Sequence, residues 1–178
     1  MRVLVTGSTG FIGRNLFEQL AGRHEVLAPP RRELDLLDGD GVRTWLRAHR
    51  PDAIVHSATT PGHRNAPPAP DLGWRNVKMF MHLAESRDCF GRLLVLGSGA
   101  EYDQRHYRPK LRESQAGEYV PADDTGLSKF TISRLVAQQP GWVHLRPFGV
   151  FGKHEDWEIR FISNALCKAL FGLPKKLY

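Results

Sequence analysis

The chain has 178 residues, 41% of them apolar and 25% charged, with a net charge of +6. That length supports one domain with a real core, and no apolar run approaches the ~20 residues of a membrane span, so a membrane protein is not expected. The basic residues are scattered without an aromatic-interleaved stripe, and Cys89 and Cys167 lie far apart without metal-ligand spacing; neither a nucleic-acid surface, a metal centre nor a disulfide framework is expected.

Taken in chain order, Arg2–Thr6 reads as a strand that runs straight into Gly7, Gly10 and Gly13. A helix follows with Ile12, Leu16, Phe17 and Leu20 on one face, ended by Gly22. Glycines let a backbone approach a pyrophosphate closely, and a helix N-terminus directs free N–H groups and partial positive charge at it. The opposing reading is a glycine-rich turn that packs tightly and binds nothing; the spacing here is G-x-x-G-x-x-G rather than G-x-G-x-x-G. Glu25–Ala28 is the second strand, closed by Pro29-Pro30. A helix spans Gly41–His49 with Val42, Trp45 and Leu46 inward. Ala53–His56 is a buried strand, and Pro61–Pro70 is a proline-rich loop of the kind that borders sites.

Further on, a helix runs over Leu72–Asp88 with Val77, Phe80, Met81 and Ala84 inward, and Arg92–Leu96 is a strand. Gly99–Asp123 is a polar stretch too long to be an idle connection. Asp124 can cap a helix to Gln138. Trp142–Leu145 is a strand, Trp157–Leu170 a helix, and Lys175–Tyr178 the start of a further strand. Alternating strands and helices predict an α/β fold: a doubly wound parallel sheet of the Rossmann type, with helices on both faces. Ligands of such sheets bind at the carboxyl ends of the strands. The glycine loop, Ser57-Ala58-Thr59, Gly97-Ser98 and Pro147-Phe148 all fall at such ends. Met1 leads almost at once into a strand that is too short and too glycine-bound for a signal peptide, so a cytoplasmic protein is expected.

Seven segments together resemble the extended short-chain dehydrogenase/reductase family of nucleotide-sugar epimerases, dehydratases and 4-keto reductases. They are Val5–Gly13, Leu34–Asp38, Pro51–Ala58, Asn76-Val77, Leu96–Tyr102, Gly126–Lys129 and Arg146–Gly152. Arg31–Asp38 is similar to the GDP-fucose synthase branch in particular. The resemblance implies a cofactor domain over residues 1–152, the start of a substrate-binding lobe over 153–178, a nucleotide-sugar substrate, and a homodimer built from the helices at 72–88 and 124–138. By position, Gly7, Thr9, Gly10, Phe11, Ile12 and Gly13 would hold the pyrophosphate, Asp35 and Leu36 would flank the adenine, and Ser57, Ala58, Pro147 and Phe148 would line the cofactor. Strand two ends without an acid and is followed by Arg31-Arg32, so NADP is expected over NAD, with either arginine on the 2′-phosphate; NAD is left open. Arg160 and Asn164 would begin the substrate site.

The same resemblance implies a catalytic set of Ser98, a tyrosine and Lys129, with Lys129 also on the nicotinamide ribose. The tyrosine belongs at position 125, one helical turn before the lysine, and that residue is Thr125. A phenol titrates near pKa ~10, whereas an aliphatic hydroxyl is far more basic when ionised and is several bonds shorter. Three explanations stand open: an engineered residue, a natural protein of little or no activity, or another group serving through a water. Tyr102, Tyr107, Tyr119, His106 and His154 are near enough in sequence to test. The rival class is a non-catalytic dinucleotide-binding sensor or partner subunit.

Overall fold

The apolar runs pair into one sheet. In the computed structural model, which describes residues 1–60 and 70–173, five strands lie in the order β2-β1-β3-β4-β5. They are β1 (Arg2–Thr6), β2 (Glu25–Leu27), β3 (Ala53–His56), β4 (Arg92–Leu96) and β5 (Val143–Leu145). Every pairing is parallel, and Leu4 lies opposite both Leu27 and Ile54. The chain steps outward from β1 to β2 and then crosses back to β3. The crevice of the sheet therefore opens between the carboxyl ends of β1 and β3.

The helices are α1 (Phe11–Leu20), α2 (Gly39–His49), α3 (Leu72–Glu85), α4 (Asp124–Val136) and α5 (Phe161–Leu170). α2, α3 and α4 pack side by side on one face. Right-handed crossover places α1 on the other. The core lies between β1, β3 and β4 and the three-helix face, where Leu4, Leu46, Ile54, Phe80, Leu83, Leu93, Ile132 and Val136 are buried. As expected, Val42, Trp45 and Leu46 turn inward. On α3 the buried apolar residues are Met79, Phe80 and Leu83, while Val77, Met81 and Ala84 are half-buried at the flanks.

The α1 face is thinner. α1 buries only Gly13, and Phe17, expected inward, is 40% exposed. Periodicity identifies a helix face but not whether enough chain covers it. β5 is likewise an exposed edge, and α5 buries no residue. The segment that follows β5 folds back on α1: Asn15 Nδ2 donates to Lys153 O at 2.7 Å, and Lys153 Nζ and His154 Nε2 meet Glu18 at 2.9 and 2.7 Å.

Element ends differ where capping decides them. α2 starts at Gly39 because Asp38 accepts the Gly41 N–H at 3.1 Å. α4 is capped by Asp123, which accepts from Gly126 N at 2.8 Å, and not by Asp124, which is its first residue. α3 ends at Glu85, with Arg87–Cys89 continuing as a 3₁₀ turn, and α5 starts at Phe161 rather than Trp157. The proline-rich loop, except Pro70, and the strand expected at 175–178 lie outside the described residues.

A methyl added at Gly13 would sit 2.1 Å from Gly7 O, backbone against backbone. Gly13→Ala is therefore expected to lower unfolding free energy by about 1–3 kcal/mol, as overpacking does. Gly22→Ala, where the methyl meets nothing within 4 Å, should change it by under about 1 kcal/mol. Urea unfolding of the two variants checks the contrast.

Candidate functional site

The turn after β1 is shaped by close approach. Gly7 has φ +70°, and a Cβ there would lie 2.7 Å from the backbone of Ala58 at the end of β3. Gly10 N donates to Gly7 O at 3.0 Å and caps α1 without a side-chain bond. No acidic residue stands in the first turn of α1. The N–H groups of Phe11, Ile12 and Gly13 thus open a helix whose positive end is not neutralised locally. Thr6 ties the two strand ends together. Its hydroxyl and His56 Nδ1 share a 2.8 Å hydrogen bond, and its carbonyl accepts Ser57 Oγ at 2.6 Å. Burial, and then the charge of Lys129, push the His56 imidazole down to about 3. His56 is accordingly a neutral strut under the site.

Beside this turn lies a cleft of about 350 Å³, floored by Thr6–Gly10 and Ser57–Thr60, with Leu34, Leu36 and Met79 as an apolar wall. Asp35 Oδ1 accepts Leu37 N at 3.0 Å, while Arg31 reaches Asp35 Oδ2 at 3.2 Å. Burial raises the Asp35 carboxyl, but the Leu37 N–H and the Arg31 guanidinium outweigh it and hold it below its ordinary value. Arg31 lines the cleft; Arg32 is exposed and does not. Arg75, which the sequence did not single out, does line it. Asn76 fixes the rim, its Oδ1 accepting Thr60 N at 2.7 Å and Thr59 Oγ1 at 3.3 Å. A larger, shallow concavity of about 600 Å³ lies at the opposite end of the strands, around Met1, Arg23, Arg50 and Asp52. It has neither the glycine turn nor the helix N-terminus.

At the end of β4, Ser98 Oγ accepts Ala100 N–H at 3.1 Å, which leaves the hydroxyl proton free to donate outward. Ser98 N donates to Glu101 Oε1 at 2.9 Å, completing a capping box. Lys129 Nζ donates to Leu96 O at 2.9 Å, so α4 delivers its amine beside Ser98. Burial lowers the Lys129 ammonium and the Glu101 carboxylate partly restores it. Pro147 O accepts Gly99 N at 3.1 Å, and Phe148 lies 5.5 Å from Tyr102, so both adjoin the Ser98 loop.

Glu101, 2% exposed, also binds Arg146 Nε at 2.8 Å. Burial raises its carboxyl despite the Ser98 N–H and Arg146. His144 Nε2 lies 3.2 Å from the same carboxylate but is not aligned for a hydrogen bond. Burial, with the charges of Arg146 and Lys129, takes His144 down to about 4, so this contact joins a carboxylate to a neutral ring. The sequence reading missed Glu101, Arg146, His144 and His56. The Ser98-x-x-Glu101 pattern was the one available signal.

Thr125 is exposed on the first turn of α4, and its hydroxyl makes no hydrogen bond among the described residues. Of the residues considered in its place, Tyr107 donates its phenol to Gly99 O and Tyr102 is buried against Phe148. Burial raises both phenols. His106 stacks on Tyr119 at 3.7 Å, and His154 is bound to Glu18 on the α1 face. Arg160 is the exposed N-cap of α5, and Asn164 Nδ2 donates to Glu158 O at 3.4 Å. Neither of these two lines the cleft.

A glycine turn, a helix N-terminus and a Ser/Lys pair on one edge of a parallel sheet define a dinucleotide-binding type of α/β domain. Residues 3–178 match the NAD dependent epimerase/dehydratase family, and the chain belongs to it. It is 32% identical over 107 residues to GDP-L-colitose synthase of Yersinia pseudotuberculosis, covering 57% of this chain and 35% of that protein. It is 28% identical over 173 residues to methionine adenosyltransferase 2 subunit beta of Danio rerio, covering 88% of this chain and 50% of that one. UDP-glucose 4-epimerase of Thermus thermophilus, solved in complex with NAD, superposes with a TM-score of 0.80 at 28% identity, over 100% of this chain and 65% of that one. The chain thus spans about one to two thirds of the length of these proteins. No helix among the described residues is long and apolar enough to cross a membrane.

His56 and His144 resist protonation in the folded state, near 3 and 4, whereas an unfolded histidine takes a proton near ~6.5. Their contribution to stability is complete above that value and shrinks as pH falls toward the folded values. The loss reaches at most about 1.4 kcal/mol per pH unit for each ring. Urea midpoints should fall between about pH 6.5 and pH 5, before most carboxylates titrate, and His144→Asn should flatten the slope.

Proposed function

We propose that this chain is the NADP(H)-binding part of a nucleotide-sugar epimerase, dehydratase or 4-keto reductase, with chemistry impaired at Thr125. One observation carries the reading: Lys129 Nζ is fixed to Leu96 O beside Ser98, on the same sheet edge as the Gly7 turn. The residues fit the cofactor. Gly7 and Gly13 pack backbone against backbone with no room for a Cβ, and this close turn leaves the N-terminus of α1 at the cleft. Gly7, Thr9, Gly10, Phe11, Ile12 and Gly13 would hold the pyrophosphate, Asp35 and Leu36 the adenine, and Ser57, Ala58, Pro147 and Phe148 the remainder. When bound, the nicotinamide supplies hydride exchange with a sugar carbon. Ser98 offers its free hydroxyl proton to the sugar oxygen where charge develops. Lys129 orients the ribose, and the Glu101 carboxylate opposes the lowering that burial imposes on its ammonium. We assign residues 1–152 to cofactor binding and 153–178, with Arg160 and Asn164, to the start of the substrate half. Its free thiols, Cys89 and Cys167, suit a reducing cytoplasm.

Thr125 cannot supply the proton a phenol would. In a protein that also carries a substrate-binding half, Thr125→Tyr should raise NADPH oxidation by a 4-keto nucleotide-sugar about 10²–10⁴-fold. An unchanged rate would remove position 125 from the acid–base role. A second reading is a non-catalytic partner subunit. It is favoured by Thr125 and by the likeness to methionine adenosyltransferase 2 subunit beta, and it predicts cofactor binding with no turnover even in Thr125→Tyr.

We further propose a homodimer contact on α3 and α4, which lie side by side and expose Trp74 (66%) and Leu127 (42%). Light scattering should give about twice the 20.1 kDa chain mass, and Trp74→Glu should halve it.

A further inference from the structure

We infer that Arg75 is a specificity-determining residue, the cation that with Arg31 receives the 2′-phosphate of an NADP-type cofactor. The inference rests on the cofactor reading above and names a contact within it.

Arg75 sits in the first turn of α3, its N–H donating to Asp71 O at 2.8 Å. Its neighbour Asn76 is clamped to Thr60 N at 2.7 Å, and Met79, one turn on, is buried in the cleft wall. This frame holds the Arg75 side chain on the cleft lining. Its Nε is buried and meets no hydrogen-bond acceptor among the described residues. A buried guanidinium N–H without an acceptor is costly, and the cleft that Arg75 lines is the space from which a ligand oxygen would approach this guanidinium.

Charge decides which ligand. Arg31 commits both Nε and a terminal nitrogen to Asp35 Oδ2, at 3.3 and 3.2 Å. Asp35 with Arg31 alone is a neutral pair and offers a 2′-phosphate no net positive charge. Arg75 adds a second guanidinium against the one carboxylate and leaves the adenosine end of the cleft net positive. Arg32, the other arginine after β2, stays outside the lining. A planar guanidinium with an unused donor suits a phosphate. The pyrophosphate and ribose oxygens and the adenine ring nitrogens are the cofactor's other acceptors near this cleft, and these are common to NADH and NADPH.

Fluorescence titrations of the whole chain with NADPH, NADH and 2′,5′-ADP separate the possibilities. Wild type should prefer NADPH. Arg75→Gln should weaken NADPH and 2′,5′-ADP about tenfold, the scale of one charge-assisted contact, and NADH by less than about twofold. Arg75→Lys keeps the charge but loses the fork, and should lower the NADPH-over-NADH preference by a smaller factor; it decides the matter if the glutamine variant does not fold. NADPH affinity unchanged in both variants overturns the inference. So does equal weakening of NADPH and NADH, which would assign Arg75 to a part that the two cofactors share. Wild type that binds neither dinucleotide overturns the cofactor reading itself.

Discussion

Everything at the carboxyl edge of the sheet depends on how closely the turn after β1 approaches the end of β3. Gly7 lies where a side chain would enter the Ala58 backbone, and Gly13 lies where one would enter the Gly7 carbonyl. Backbone contacts of that kind leave α1 in a single place, with its N-terminus over the crevice. The Thr6–His56 hydrogen bond and the Ser57 bond to Thr6 O lock the same two strand ends from below. Geometry that is worthless to a hydrophobic core is thereby kept rigid by it.

A second constraint acts at the end of β4. The buried carboxylate of Glu101 gathers the Ser98 N–H and the Arg146 guanidinium. A buried carboxylate that lost those partners would be strongly destabilising, so the loop carrying Ser98 has little freedom. The same charge reaches Lys129 and offsets part of the lowering that burial imposes on its ammonium. His56 and His144, both pushed neutral, add no competing positive charge around that amine. The edge thus has one ammonium, one buried carboxylate and one free hydroxyl proton, each fixed by a bond to backbone or to its neighbour.

The sequence made this edge legible because glycine spacing and strand–helix alternation are local signals with one common geometric cause. β1, β3 and β4 lie where the apolar runs place them, and Gly7, Ser98 and Lys129 follow from them. Capping moved α2 and α4 by a residue or two, since adjacent aspartates such as Asp123 and Asp124 look alike until one bonds Gly126 N. Phe17 misled because helical periodicity says which side is apolar and not what covers it. Arg75 was invisible for a deeper reason. It lies on α3, far in sequence from Arg31 and Asp35, and only the winding of the sheet brings them to one cleft. His56 and Glu101 carried no local signal of the partners they meet, Thr6 and Arg146, because those contacts are tertiary.

Binding and chemistry are built on different parts of this framework. The glycine cradle, the α1 N-terminus and the adenosine pocket belong to β1, β2, β3 and α3. The position proposed above for proton transfer lies in the first turn of α4, where Thr125 is exposed, with a hydroxyl that holds nothing together among the described residues. A change at position 125 therefore removes a phenol without loosening Lys129, whose place is set by its own bond to Leu96 O. Such a separation leaves the glycine turn under the packing constraints of the core whatever residue stands at position 125. The same fold thereby serves an enzyme or a partner subunit with little remodelling, which is the choice that Thr125 poses here.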